Sequence, residues 1–301
     1  MRFLHLLVAS PHIPGSRLLL RQIAVVRMSM SEDASTVERW KANFIVAGLL
    51  IPTGAVAGPS WLSFERLDNS RVRASVQVTV SPRTEDPVDK SRKQLISFLS
   101  LYNVLAQVAA GIERDEGGNQ VTGTGFLTSV SGTITIRLKP TLSEEQRVAL
   151  LTDATTLFRD NEEILDKSEY LHLRLAIDYY NFGKSSTRPE ESLVNWMIAL
   201  EALYSDSAQE LRHKLSVRAA WMLGETPQER LKIAKRMREL YDLRSEIVHG
   251  VQPRVSDNDI QTIESYVRHS IIRLLKRRDK PTKEKILREL DEMALGLPGP
   301  T

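Results

Sequence analysis

The chain has 301 residues, enough for two domains of ordinary size, and its 42% hydrophobic and 26% charged residues are typical of a soluble globular protein. It contains no cysteine, which excludes disulfides and thiolate metal sites and is compatible with a cytoplasmic location. No apolar run reaches the roughly 18 residues that a membrane-spanning helix needs, so we expect no membrane association.

The net charge of +3 is distributed unevenly along the chain. Residues 208–280 hold sixteen Lys or Arg against ten Asp or Glu, an excess of six, so the remaining residues carry −3. A basic surface favours phosphate backbones because binding releases their counterions. A solvated helix face explains a moderate excess of this kind equally well.

The first thirty residues contain four arginines and no acidic residue. Their apolar stretches are too short and too interrupted for a secretory signal, although an Arg-rich, acid-free start also fits a transit peptide. We favour a poorly ordered extension over residues 1–30.

Residues 31–140 carry strand patterns on both sides of a helical one. Residues 71–81 alternate polar and apolar side chains, as a half-buried strand does. Residues 123–128 and 132–138 predict a second pair of strands joined by a tight turn. The sequence therefore predicts a small antiparallel sheet.

The helical pattern of this region lies between those strands. Residues 88–113 have apolar side chains at helical spacing, and the polar segment 113–119 with its two glycines predicts a loop. The tripeptide Gly123-Thr124-Gly125 lacks the third glycine of a dinucleotide fingerprint and indicates a tight strand entry instead. We expect an α+β domain over residues 31–140, of unknown role.

From about residue 141 the pattern is helical almost to the end. Ser143 with Gln146 three residues later has the form of a capping box, just after a boundary at Pro140 and Thr141. We predict an all-α helical bundle over residues 141–295, which makes the whole chain an α+β protein. Its predicted helices are 143–158, 162–182, 190–205, 208–223, 227–249, 257–278 and 282–294.

Arg244 and His249 lie five positions apart near the end of the predicted helix 227–249. An arginine offers a planar fork of donors suited to phosphate, and a histidine exchanges protons near neutral pH. Together they can cleave RNA without a metal or cofactor, Arg244 holding the phosphate and His249 moving the protons. The alternative is that His249, next to Gly250, satisfies carbonyls at a helix C-terminus.

Three neighbours are candidate supporting residues. Ser245 could hydrogen-bond the phosphate, although a serine on a helix surface is the simpler interpretation. Glu246 could orient His249, and an ordinary surface pair explains their three-residue spacing equally well. Tyr241 could stack on a base, while packing against the core is the alternative.

A fourth candidate, Glu201, lies in the otherwise apolar run 197–203. A buried carboxylate needs a partner, and Arg244 or another basic residue could supply one. Three further histidines show no metal-ligand spacing to one another, so we predict no metal site. These histidines are His172, His213 and His269.

Helix geometry complicates a shared site for Arg244 and His249. Five residues at roughly 100° each separate the two side chains by about 140° on an ideal helix. Either Gly250 and Pro253 end the helix early and free His249, or a two-fold dimer brings two copies of the motif into one cleft. The sequence leaves both alternatives open.

Three sequence blocks in the C-terminal half resemble, in their residues and their order, the Apea-like branch of the HEPN superfamily. The blocks are 195–204, 211–223 and 240–250, and the resemblance extends over about residues 160–280. It implies a small helical bundle that forms a homodimer. It also implies a metal-independent ribonuclease, because many members use an arginine followed, after four to six residues, by a histidine.

By this resemblance, Arg244 and His249 take the two catalytic positions. Active members often carry Asn, Asp or His directly after the arginine, whereas this chain has Ser245. The resemblance thus implies an RNA partner and an endoribonuclease with a role in defence or as a toxin. Two alternatives are a non-enzymatic RNA-binding module and a helical scaffold that dimerises on behalf of the N-terminal half.

Overall fold

The computed structural model describes an α+β protein, with a small antiparallel sheet on the N-terminal side and a helical C-terminal part. The predicted fold class is therefore confirmed. The structure describes residues 26–28, 38–47, 49, 51, 59–67, 71–80, 86–108, 111–115, 143–207 and 209–297.

The described strands pair in antiparallel fashion in the spatial order β1 (Val26–Met28), β2 (Glu38–Ala47), β4 (Arg71–Val80) and β3 (Leu62–Arg66). A fifth strand, β5 (Gly111–Asp115), also pairs with β2. Because β4 covers β2 along its whole length, β1 and β5 share the opposite edge of β2.

Two sequence predictions concern these strands. The strand predicted at 71–81 is confirmed as β4, whose alternate residues are buried on one face of the sheet. Strand β1 lies inside segment 1–30, so the predicted poorly ordered extension includes three residues that pair in the sheet. Residues 1–25, 29 and 30 lie outside the described residues.

Helix α1 (Pro87–Ala106) covers the buried face of the sheet. It begins at Asp86, whose carboxylate accepts a hydrogen bond of 2.8 Å from the backbone N–H of Val88. It ends at Gln107, which adopts a left-handed conformation with φ of 58°. Edge-to-face and tilted ring contacts join α1 to the sheet and to the next helix; the rings are Trp61, Phe64, Phe98 and Phe158.

The predicted helix 88–113 is therefore too long at its C-terminal end. The chain leaves α1 at Gln107 and enters β5 at Gly111, so the apolar spacing continues past the point where the helix ends. Residues 113–115 of the predicted polar loop belong to β5. The strands predicted at 123–128 and 132–138 lie outside the described residues.

The C-terminal part is helical, as predicted. The capping box is confirmed, since Ser143 and Gln146 exchange hydrogen bonds of 3.2 and 2.9 Å. The single helix predicted at 162–182 is wrong, because extended backbone at Lys167 divides it. The helices are α2 (Glu144–Arg159), α3 (Glu162–Leu165), α4 (Leu171–Ser185), α5 (Pro189–Tyr204), α6 (Leu211–Leu223), α7 (Pro227–Val248), α8 (Asp257–Lys276) and α9 (Lys283–Ala294), with a 3-10 turn at Ser168–Tyr170.

The two predicted domains, 31–140 and 141–295, share one continuous hydrophobic core. Helix α1 packs on α2, α4 and α8 as well as on the sheet. From α8, the guanidinium of Arg268 donates hydrogen bonds of 2.8 and 3.0 Å to the carbonyls of Val104 and Leu105 at the end of α1. The change in sequence pattern near residue 140 thus separates two types of secondary structure that fold onto the same core.

Helix α5 lies at the centre of the bundle, in contact with α4, α6, α7, α8 and α9. Its Trp196 is buried against Gly183 of α4, where an added Cβ would lie 2.3 Å from the indole nitrogen. That nitrogen donates a hydrogen bond of 2.9 Å to the carbonyl of Tyr180. Trp196 is therefore a core residue, and it fixes the position of α5.

Candidate functional site

The motif Arg244–His249 occupies the C-terminal end of α7. This helix begins with a capping box at Thr226 and Glu229 and ends in a Schellman arrangement around Gly250, whose φ is +82°. The N–H of Gly250 donates to the carbonyl of Ile247, and the N–H of Val251 donates to that of Glu246, at 3.1 and 3.0 Å. Gly250 is thus explained by the left-handed turn that closes the helix.

His249 is the C-cap residue of α7, with φ of −84° and ψ of 10°. Its backbone N–H donates to the carbonyl of Ser245 at 3.0 Å, which is the ordinary α-helical bond. The helix ends at Val248, one residue before His249, while the backbone of His249 stays bonded to the last turn, so the alternative in which an early helix end frees His249 stays a prediction. Arg244 and His249 stay about 140° apart around α7, so one copy of the motif presents its two groups in different directions.

Arg244 faces α5, where it meets Glu201. The guanidinium Nη2 lies 3.5 Å from the carboxylate Oε1, and the exposed fractions of the two side chains are 23% and 19%. The sequence interpretation that Glu201 pairs with Arg244 is therefore correct. Within the described ranges, Arg244 makes no other ion pair.

No hydrogen bond joins Oε1 of Glu201 to the guanidinium of Arg244. Oε1 of Glu201 and Nε of Arg244 are both buried atoms without a hydrogen-bond partner among the described residues. Burial raises the pKa of Glu201 above its usual value, and the opposing attraction of Arg244 is the smaller effect. A half-buried carboxylate with a perturbed pKa, next to a cation with spare donors, is a common feature of functional clefts.

His249 is exposed and shares its face of α7 with other polar groups. Helix geometry puts Asp242 and Ser245 within about 40° of it. The guanidinium of Arg212, on α6, holds Asp242 through two hydrogen bonds of 2.6 Å. Sequence reasoning did not identify this Arg212–Asp242 pair, since the two residues are thirty positions apart.

The other candidate residues have modest roles in the structure. Ser245 is half-buried and its carbonyl supports His249, while its hydroxyl makes no hydrogen bond to a described residue. Glu246 is exposed, and no hydrogen bond or ion pair joins its side chain to His249 in the part of the chain that the structure describes. Tyr241 is partly buried and packs on the core, which favours the packing interpretation over base stacking.

Much of the positive charge in residues 208–280 is paired. Ion pairs with carboxylates engage several of its basic side chains, namely Arg212, Lys214, Arg218, Arg236, Arg244, Arg273 and Arg277. Arg238 and Arg254 form no ion pair with a described residue. Arg238 lies on the His249 side of α7 but about three turns nearer the start of the helix, and its Nε donates a hydrogen bond of 3.2 Å to the carbonyl of Ala234.

A buried histidine lies away from the motif, on α4. His172 is 5% exposed, and neither ring nitrogen has a hydrogen-bond partner within ordinary distance among the described residues. Burial, together with the nearby Lys283, lowers its pKa to about 4, so the ring is neutral at physiological pH. The described residues contain no group of three or more His, Asp or Glu side chains that could hold a metal ion.

The fold and the site define an α+β protein with a helical bundle that presents an Arg–Glu pair and an exposed histidine at the end of one long helix. No family model matches the chain, and comparisons with curated proteins and with solved structures find no match either. Among the described helices, none combines the length and apolar character needed to cross a membrane.

Proposed function

We propose that the chain is a metal-independent endoribonuclease of the Apea-like HEPN type. The observation that carries the proposal is the end of α7, where an arginine with spare donors and an exposed histidine occur five positions apart at the end of a capped helix. The sequence resemblance over residues 160–280 and the basic excess of residues 208–280 support it. A role in defence or as a toxin would follow from the same resemblance, and a cytoplasmic location is compatible with the absence of cysteine.

The chemistry requires a proton acceptor, a proton donor and charge stabilisation. The 2′-hydroxyl loses a proton as its oxygen forms a bond to phosphorus, and the leaving 5′-oxygen gains a proton as its bond to phosphorus breaks. A histidine can perform these transfers near neutral pH, and an arginine can stabilise the charge that builds on the phosphorus oxygens. His249 and Arg244 take these roles, and the product carries a 2′,3′-cyclic phosphate.

Each active site, in this proposal, draws on two copies of the chain. The angle of about 140° separates Arg244 and His249 of one copy, so a two-fold homodimer would supply Arg244 from one protomer and His249 from its partner. The apolar side chains of Val248 and Val251 are 52% and 53% exposed directly beside the motif. Their exposure favours contact between copies at this end of α7.

Mixing two inactive variants tests this arrangement. Arg244→Ala and His249→Ala should each abolish cleavage of single-stranded RNA in EDTA, with unchanged circular dichroism. If sites are shared, a mixture allowed to exchange subunits should recover about a quarter of wild-type activity, because half of the dimers carry one intact site. A mixture that stays inactive while exchange is detected would contradict the shared site.

A non-enzymatic RNA-binding module is the second candidate. Two observations favour it: Ser245 follows the arginine, and the backbone of His249 belongs to the helix cap. RNA binding would then depend on salt and yield no product. Binding that survives loss of both Arg244 and His249, without cleavage by the wild type, would support this function over the first.

A further inference from the structure

Glu201 and Arg244 lie farther apart than the ion pairs of the helical part in which both side chains are mostly buried, such as Lys184 with Glu264 at 3.0 Å. The buried Arg218 binds Asp291 through two hydrogen bonds of 2.8 Å, whereas Glu201 and Arg244 approach only to 3.5 Å. Their buried Oε1 and Nε atoms make no hydrogen bond with a described residue. Buried polar atoms of native proteins nearly always have a partner, so this pair leaves binding capacity unused.

We propose that Glu201 determines the phosphate affinity of the site by competing with the substrate for Arg244. In the free protein the carboxylate faces the guanidinium, and an RNA phosphate takes its place on binding. This inference rests on the proposed function, since it assigns Arg244 to the phosphate of RNA. It adds a third residue, from α5, to a site that the sequence motif confines to α7.

Electrostatics gives the direction of the effect. A phosphate that approaches Arg244 also approaches Glu201, because the two side chains are 3.5 Å apart and largely shielded from water. Like charges repel strongly in such surroundings, so the carboxylate opposes the anion that the guanidinium attracts. Removing the charge of Glu201 while keeping its shape should therefore strengthen anion binding.

A supporting role for Glu201 in phosphate binding predicts the opposite effect of its replacement on affinity. If the carboxylate only orients Arg244 toward the substrate, its replacement would let the guanidinium move and would weaken binding. A change of net charge alone would strengthen binding to nucleic acid wherever the carboxylate was removed. Glu246 is a matched control for that effect, since it is exposed, lies two residues from Arg244 and forms no ion pair with a described residue.

The test measures binding of a short fluorescent 2′-O-methyl oligonucleotide, which lacks the free 2′-hydroxyl and cannot be cleaved. Glu201→Gln should bind about five- to tenfold more tightly than the wild type at low salt, and Glu246→Gln less than about twofold more tightly. The gain should disappear in Glu201→Gln/Arg244→Ala. Glu201→Ser serves as a second variant if the glutamine variant does not fold.

Weaker or unchanged binding by Glu201→Gln would overturn the proposal, as would an equal gain in Glu246→Gln. Because the probe reports binding alone, this outcome is independent of RNA cleavage. Tighter binding by Glu201→Gln with no cleavage by the wild type would retain the competition and reject the ribonuclease. Cleavage by the wild type without tighter binding by Glu201→Gln would retain the ribonuclease and reject the competition.

Discussion

Replacing His172 with phenylalanine should make the protein less sensitive to acid. His172 lies on α4 with 5% of its surface exposed, next to the ring of Tyr170 at a centroid distance of 6.3 Å. Burial is the main reason that its pKa falls to about 4, Lys283 lowers it further, and Glu284 opposes the shift. Phenylalanine has a similar size and carries no proton to gain.

The free energy of unfolding depends on pH here because the folded and unfolded states protonate His172 at different pH values. The unfolded chain protonates His172 below its ordinary pKa of about 6.5, whereas the folded protein protonates it only near 4. The unfolded state therefore binds more protons between these values, and the free energy of unfolding falls as the pH falls from 6.5 to 4. A shift of this size is worth about 3 kcal/mol.

Urea unfolding at several pH values between 7 and 4 measures the effect. The free energy of unfolding should fall by about 3 kcal/mol less in His172→Phe than in the wild type. The difference between the two proteins is needed because Asp178, whose pKa burial raises to about 6, contributes in the opposite direction over the same range. Identical slopes for wild type and His172→Phe would refute the reasoning.

Three further substitutions test the packing around the site, each by urea unfolding at pH 7. Gly250→Ala should cost about 1 kcal/mol because φ is +82° there, with no steric contact around the added methyl group; no loss would contradict the strain. Gly183→Ala should cost about 3 kcal/mol or more, since its Cβ would meet Trp196 at 2.3 Å, and a near-neutral result would show that α4 and α5 can separate. Arg218→Ala should cost about 3 kcal/mol because it removes a buried side chain and leaves the buried carbonyl of Tyr204 without its donor, whereas a loss below about 1 kcal/mol would contradict this.

Local patterns explain why most of the helical part could be predicted from the sequence. Helix α7 begins at a capping box and ends at a glycine in the left-handed conformation, and both signals lie in the residues at the ends of the helix. The two errors fall where backbone conformation overrides apolar spacing. Gln107 ends α1 although Val108 beyond it is still buried, and Lys167 divides a helix whose apolar pattern continues.

Tertiary packing explains what could not be predicted. The shared core of the two parts depends on Arg268 reaching the end of α1, more than 160 positions away in the chain. At the site, the pairing of Glu201 with Arg244 followed from a charge in an apolar run. The Arg212–Asp242 pair had no such signal, because both are charged residues of the kind found on any helix surface.

We expect the end of α7 to cleave RNA, and a single incubation tests this. Labelled single-stranded RNA is incubated in EDTA with the wild type and with His249→Ala, and the ends of the products are identified. We expect cleavage by the wild type alone, with 2′,3′-cyclic phosphate ends. Equal cleavage by His249→Ala, or no cleavage by a folded wild-type protein, would contradict the claim.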